Sequence, residues 1–150
     1  MTFTLETLAK SLAGYLAPHF PGVTFYEDPN QQGSAPPMFF LQTRYGNVDK
    51  MLDGRYLRTL GLDLTYLLDY NLPDMQQQYQ RAGETLDLLM DTFPYSDGTG
   101  NALLHAYARE WRVDLDALHY RFEVRTVVLI PEDSAKMELI DNIGGVVVAR

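Results

Sequence analysis

The sequence predicts an α+β fold: a mostly antiparallel sheet of four to five strands with long hairpins and two helices packed on one face. Two observations carry this prediction. In two segments apolar residues recur every three or four positions, which is the pattern of a helix with one buried side. In two other regions apolar and polar residues alternate, which is the pattern of strands with one buried face. Helices on one face of such a sheet bury both apolar patterns.

The first helix is predicted over residues 5–19. Its apolar side consists of Leu5, Leu8, Leu12, Tyr15 and Leu16. Thr2 or Thr4 is suited to cap its start, and a proline-containing segment ends it. We expect a short strand at 23–26 and then a loop over 27–37, which is rich in Pro, Gly, Asn and Gln.

A long hairpin is predicted next. It consists of a strand at 38–45 that continues less regularly through 48–52, a turn at Asp53-Gly54 and a strand at 55–68. In the second strand the even positions are apolar except Arg58 and most odd positions are polar, so we expect one buried and one solvent-exposed face. At about 3.3 Å per residue this strand spans roughly 40 Å, about twice the usual length. We therefore expect the sheet to extend beyond its own core, as in subunits that build a shared surface.

The second helix is predicted from about residue 73 to residue 93. Its apolar side consists of Met75, Tyr79, Ala82, Leu86, Leu89, Met90 and Phe93. A loop follows at 95–101. Strands at 102–113 and 118–130 then form a second hairpin around the turn at 114–117.

Residues 1–131 are predicted to form one domain, and residues 132–150 an extended C-terminal tail. Two interpretations of the tail stay open. It is a mobile end, or its apolar residues dock onto a neighbouring subunit, for example as an added strand. The candidate docking residues are Met137, Leu139 and Ile140.

The composition argues against several classes of partner and chemistry. The formal net charge is −8, from 12 Lys and Arg against 20 Asp and Glu, so we expect no sequence-specific binding of nucleic acid. The absence of cysteine excludes disulfides, thiol nucleophiles and thiolate metal sites. No segment reaches the ~20 apolar residues of a membrane span, so we expect no membrane partner.

No motif predicts a metal or cofactor site. The three histidines are His19, His105 and His119, and no two of them have the spacing of a metal-binding pair on one element. We expect His105 and His119 to be rough neighbours across the second hairpin. Two histidines fall short of the three or four ligands that a metal site needs, so no cofactor is predicted.

The acidic residues do not predict an active site either. Asp63 is expected on the exposed face of its strand, and Asp87 and Asp91 lie four residues apart on a helix, a spacing typical of a solvated face. Paired catalytic acids come from convergent, partly buried positions. We therefore predict that the protein is not an enzyme. A small hydrolase built on Asp63, Asp87 or Glu123 is kept as an alternative.

Three arginines lie on or beside the first hairpin, namely Arg44, Arg55 and Arg58. Arg58 stands where the alternation predicts an apolar residue. One interpretation is an ordinary exposed arginine near a strand end. The other is an ion pair with a neighbouring subunit, since arginine is favoured at such interfaces. On the second interpretation all three arginines are candidate subunit-interface residues.

A family resemblance rests on four segments: Phe20-Pro21-Gly22-Val23-Thr24-Phe25-Tyr26, Gln32-Gly33, Pro37-Met38-Phe39-Phe40 and Arg55-Tyr56-Leu57-Arg58. Their order resembles that of the tail terminator family of tailed phages and prophages. The segments at 113–125 and 136–142 also follow the order of that family, so the resemblance covers nearly the whole chain. It consists of core and turn residues and contains no catalytic signature.

The resemblance implies a structural virion protein of the phage tail, present in the host cytoplasm during assembly. It implies a homo-hexameric ring that caps the tail tube, ends its polymerisation and offers a docking face to the head–tail connector. The implied partners are other copies of the chain, the tail tube protein and the head–tail connector protein. The alternative is a non-catalytic ferredoxin-like binding domain for a small molecule or RNA, which would need exposed aromatic residues in basic surroundings on the open sheet face.

Overall fold

A computed structural model of the chain describes residues 3–26, 35–69, 71–114 and 116–129. Its helices are α1 (Leu5–Leu16), which continues as a 3₁₀ turn (Ala17–His19), and α2 (Met75–Leu89). Its strands are β1 (Thr24–Tyr26), β2 (Met38–Lys50), β3 (Arg55–Leu67), β4 (Thr92–Ser96), β5 (Asn101–His105), β6 (Tyr107–Val113) and β7 (Leu118–Leu129).

The main sheet has five strands in the order β1-β2-β3-β7-β6. β1 pairs in parallel with β2, and all other neighbours in this sheet pair antiparallel. β4 and β5 form a separate two-stranded sheet. The predicted α+β class with a mostly antiparallel sheet is confirmed.

Both helices contribute to one core on the same face of the main sheet, which we call the inner face. The opposite face is the outer face. The core joins alternate residues of β3 to one side of each helix, and its central members are Leu8, Leu12, Leu16, Leu60, Leu62, Leu64, Tyr79, Ala82 and Leu86. The buried Tyr79 hydroxyl accepts the Leu68 N–H and donates to the Asp116 carbonyl, both at 2.9 Å. Burial raises the pKa of Tyr79, so the hydroxyl keeps the proton that it donates.

The first helix begins with a capping box. The Thr4 hydroxyl oxygen accepts the Thr7 N–H at 3.1 Å, and the Thr7 hydroxyl oxygen accepts the Thr4 N–H at 3.2 Å. This reciprocal pair satisfies donors that the first helical turn leaves without partners. Thr4 is therefore the cap of α1.

The first hairpin forms as predicted. Asp53 and Gly54 both have positive φ angles, 62° and 73°, as the two central residues of a type I′ turn require. β2 and β3 each extend over 13 residues, and one bulge at Arg44 interrupts their register. The bulge shifts the side chains after it, so that Tyr45 lies opposite Gly61 on the outer face.

The segment from 90 to 106 differs from the prediction. A helix to residue 93, a loop at 95–101 and one strand at 102–113 were expected, whereas α2 ends at Leu89 and β4 and β5 form a small hairpin beside α1. Pro94 disfavours helix at Phe93, the residue before it. Phe93 and Tyr95 then alternate with exposed residues and are buried as strand residues.

The prediction that one face of β3 is exposed to solvent was also wrong. Thr59, Asp63 and Thr65 lie on the outer face and are buried, with Asp63 only 5% exposed. β3 is the central strand, and the longer side chains of β2 and β7 cover its small outer-face residues. The Tyr45 ring, for example, occupies the space that a Cβ on Gly61 would need.

Asp87 is exposed, as expected of a solvated helix face, but it also anchors α2 to the sheet. Its carboxylate accepts the Tyr120 hydroxyl at 2.8 Å and the Trp111 indole N–H at 3.0 Å. The Trp111 ring packs against Gly83 one helical turn away, where a Cβ would overlap with it. Burial and the hydrogen bond to Asp87 raise the pKa of Tyr120. Asp91 is exposed, as expected, and pairs with Arg109 at 3.7 Å.

Replacing Asp87 by alanine is expected to lower the free energy of unfolding by about 1–3 kcal/mol, because the buried Tyr120 hydroxyl loses its acceptor. Asp91→Ala is the matched control and should cost less than about 1 kcal/mol, since it breaks only an exposed ion pair. Urea unfolding of both variants measures the difference. Equal costs would contradict the anchoring role of Asp87.

Candidate functional site

The described residues contain no group of three or more His, Asp or Glu side chains that could hold a metal ion. The prediction that His105 and His119 are rough neighbours was wrong. His105 lies on β5 opposite Thr92, and His119 lies on β7 opposite Arg112. His105 is seven residues from Arg112, the residue opposite His119, so the register alone separates the two histidines. The strand predicted at 102–113 is also broken at the buried Ala106, and its first half pairs with β4.

None of the described helices is long and apolar enough to cross a membrane. Three of the exposed large apolar side chains lie on the first hairpin, and the others are found singly along the chain: Val48, Met51 and Leu52, then Leu72, Leu88, Leu103, Tyr107 and Val127. These places, together with the polar groups of the outer face, are the candidate contact surfaces of this chain.

A polar network lies on the outer face around the buried Asp63. Its carboxylate accepts the Thr65 hydroxyl at 2.9 Å and the Arg121 Nε–H at 3.3 Å. The imidazole of His119 bridges two carboxylates, with Nδ1 at 3.2 Å from Asp63 Oδ2 and Nε2 at 3.4 Å from Asp114 Oδ2. The network joins β3, β7 and the turn after β6.

A second polar group lies beside it, where the Tyr45 hydroxyl donates to the Glu123 carboxylate. Arg125 donates to the same carboxylate at 3.1 Å, and its guanidinium lies 4.2 Å from the centroid of the Tyr107 ring. The hydrogen bonds from Tyr45 and Arg125 lower the pKa of Glu123, and the bond to Glu123 raises the pKa of Tyr45. Glu123 is thereby held as a carboxylate that bridges β2 and β7 across β3.

The three acids of the hydrolase alternative do not converge. Asp63 and Glu123 lie on the outer face and are engaged by donors of the same chain. Asp87 lies on α2, on the other side of the sheet. A hydrolytic pair needs two carboxylates that face one substrate, so this arrangement gives the hydrolase no support.

The three candidate interface arginines lie apart from one another. Arg44 sits at the bulge, exposed, with its guanidinium 5.4 Å from the centroid of the Tyr45 ring. Arg55 is exposed at the start of β3 and donates to the Leu52 carbonyl at 3.4 Å. Because Arg55 and Arg58 are three positions apart on one strand, they lie on opposite faces of the sheet.

Arg58 has a partner within its own chain. Its guanidinium donates to the Phe3 carbonyl at 2.9 Å and lies 5.9 Å from the centroid of the Phe3 ring. Phe3 in turn packs against Tyr95, with the ring centroids 5.0 Å apart. The exception that Arg58 makes to the apolar alternation is thus explained by a contact with the start of the chain, and its role at a subunit interface stays a prediction. The tail residues Met137, Leu139 and Ile140 lie outside the described residues.

The far end of the sheet is a three-stranded arm, made of residues 42–50 of β2, 55–61 of β3 and 123–129 of β7. In β2, residues 38–41 are buried, and every residue from 42 to 50 is exposed except the half-buried Tyr45. Leu52 at the turn is 80% exposed, and Val127 on β7 is 56% exposed. The arm therefore has apolar side chains in contact with solvent on two of its strands and at its tip.

Both long edges of the arm are without a paired strand in the described part of the chain. β1 pairs with β2 only at 38–40, so the edge of β2 has no partner from residue 41 onward. β6 pairs with β7 only up to Glu123, so the edge of β7 has none from residue 124 to 129. A sheet edge of this kind presents a row of backbone donors and acceptors to another chain.

Comparison with known proteins finds a family. A model of the family described as "Phage tail terminator protein" matches residues 7–136 of this chain. A search of curated proteins finds no match to this chain.

Replacing Asp63 by asparagine is expected to lower the free energy of unfolding by about 1–3 kcal/mol, because the side chain keeps one acceptor oxygen but loses the charge that pairs with Arg121 and gains a buried NH2 donor. Asp114→Asn, in the same network but at a more exposed position, should cost less than about 1 kcal/mol. Thermal and urea unfolding of the two variants measure this. If Asp63→Asn costs no more than the control, the Asp63 network does not stabilise the sheet.

Proposed function

The chain belongs to the phage tail terminator family, and we propose that it forms a homo-hexameric ring that caps the tail tube. In this proposal the ring ends tube polymerisation and presents a docking face to the head–tail connector protein. The chain is a structural protein of the phage tail, since the match to the family spans residues 7–136. The family match is the observation that carries the proposal.

The proposed mechanism is one of surface geometry. A tube grows because the exposed face of each ring binds the next ring and forms the same face again. A cap that binds this face and offers a different one stops growth. Contacts between unlike surfaces that close into a ring suit such a cap, because they leave two different ring faces, one for the tube and one for the connector.

The surface of this chain is compatible with such contacts. The inner face of the sheet is covered by helices, whereas the outer face is a polar surface of paired side chains. The arm adds exposed apolar residues and bare edges at one end. The net charge of −8 gives a ring a negative surface, which disfavours non-specific adhesion to DNA that passes through it.

The proposed interface includes the three arginines and the C-terminal residues. Arg44 and Arg55 are exposed on the arm, where planar guanidinium groups are well suited to pair with a carboxylate of a neighbour. Arg58 is half-buried beside Phe3 and would pair at the margin of its own core. The tail residues Met137, Leu139 and Ile140 are proposed as apolar docking residues on the basis of the sequence.

The alternative is an RNA-binding or small-molecule-binding domain. Tyr45 and Tyr107 do place aromatic rings on the outer face beside Arg125. The Tyr45 hydroxyl is bound to Glu123, however, and Arg125 already covers the Tyr107 ring, so neither ring is a free platform for a base. The acidic balance of the chain argues against the same alternative.

Deleting the gene for this chain from its phage is expected to give particles with abnormally long tail tubes and without attached heads, because nothing ends tube growth. Negative-stain microscopy measures the tail length. Supplying the wild-type chain from a plasmid should restore a uniform length. Tails of normal length in the deletion strain would contradict the proposed function.

Arg58→Glu is expected to weaken assembly more than Arg58→Ala does. Both variants lose the bond to the Phe3 carbonyl, which should cost about 0.5–1.5 kcal/mol of stability in each. Only the glutamate also repels an acidic partner residue on a neighbouring subunit. Light scattering measures assembly, and thermal unfolding measures the shared loss of stability. If both variants assemble like the wild type, Arg58 is a fold residue and not an interface residue.

A further inference from the structure

The two bare edges of the arm differ in sequence, and the edge on β7 is especially suited to pairing. Its residues 124–129 are Val-Arg-Thr-Val-Val-Leu, which are mostly β-branched, with one charge and no proline. Such a segment is rarely left open at the edge of a sheet, because it invites pairing with another chain. On β2 the bulge at Arg44 limits regular pairing to residues 46–50.

The directions of the two edge strands decide which contacts are available. β2 and β7 both pair antiparallel with β3, so both run towards the tip of the arm. When two copies lie side by side with their arms aligned, β2 of one copy and β7 of the next run in parallel. A two-fold contact would instead pair β2 with β2 of the other copy, or β7 with β7, antiparallel, and would leave the other two edges bare.

We propose that a second copy of this chain occupies these edges, so that residues 46–50 of β2 pair in parallel with residues 124–129 of β7 in the next subunit. The contact joins unlike surfaces and uses one β2 edge and one β7 edge per copy, so its repetition around an axis satisfies every edge when the ring closes. This inference rests on the proposed ring and adds which strands form it.

Side chains on the outer face of the arm support the same contact. Asp49, Leu57 and Val127 form one row across the three strands, with Leu57 in the middle. Val127 and the nearby Met51 are exposed apolar residues at the two sides of this row. Pairing of the edges extends the row into the next subunit, which covers Val127 of one copy with residues of β2 from the other.

Disulfide trapping tests the pairing directly, because the chain has no cysteine of its own. Asp49 and Val127 both lie opposite Leu57, so two strand spacings of roughly 4.8 Å separate them. That separation is beyond the reach of a disulfide within one chain, which is usually about 5.5–6 Å between Cα atoms. A disulfide in the double variant Asp49→Cys/Val127→Cys therefore joins two copies.

The experiment uses the full-length chain, both at high concentration and in tails assembled with it. A second double variant, Asn47→Cys/Val127→Cys, is tested alongside the first to allow for a shifted register. Asn47 lies two residues before Asp49 on the same face of β2, so a register shifted by two residues would favour this pair. Gln77→Cys/Leu88→Cys, at two exposed positions of α2, controls for random collisions. Mild oxidation and non-reducing electrophoresis then show the covalent products.

The expected result is a ladder of covalent oligomers that ends at the size of the ring in one of the two arm variants. Each single variant and the α2 control should stay monomeric. Dimers of Asp49→Cys alone or of Val127→Cys alone would show a two-fold contact and overturn the inference. A ring seen by light scattering or microscopy without disulfides in either arm variant would also overturn it, while the proposed function would stand. If the chain forms no ring, alone or on tails, and its deletion leaves tail length normal, the proposed function fails and the inference fails with it.

Discussion

The pairing of β3 along both of its edges is the constraint on which the rest of the structure depends. β2 and β7 pair with it over almost its full length, so both of its faces are crowded by neighbouring side chains. On the inner face leucines and the two helices fill the space. On the outer face Asp63 and Thr65 are buried, and their polar atoms need partners within the sheet. His119 and Arg121 supply those partners because the register places them beside Asp63 on β7.

The polar clusters of the outer face therefore follow from the architecture of the sheet and do not indicate a reaction. Each carboxylate considered for catalysis is bound by donors of the same chain: Asp63 by Thr65 and Arg121, Glu123 by Tyr45 and Arg125, and Asp87 by Trp111 and Tyr120. These bonds join β2, β3, β7, the β6–β7 turn and α2.

In the described part of the chain, the unequal lengths of the strands decide where the sheet has unpaired edges. β1 and β6 flank only part of β2 and β7, so the longer strands continue into an arm with bare edges. The expectation that the sheet extends beyond its core came from the length of the strand at 55–68. The structure places the exposed part mainly on β2 and at the tip, because the neighbours of β3 on both sides bury most of β3 itself.

The sequence by itself determined the α+β class, both helices, the turn at Asp53-Gly54 and the long strands, because helical periodicity, strand alternation and turn chemistry are local properties. Only the tertiary structure decided that residues 101–105 pair with β4, that Asp63 is buried and that Asp87 anchors α2. Which strands become neighbours depends on contacts between residues distant in the chain. Alternation shows which side chains share a face of a strand, but the strands on either side determine whether that face is exposed to water.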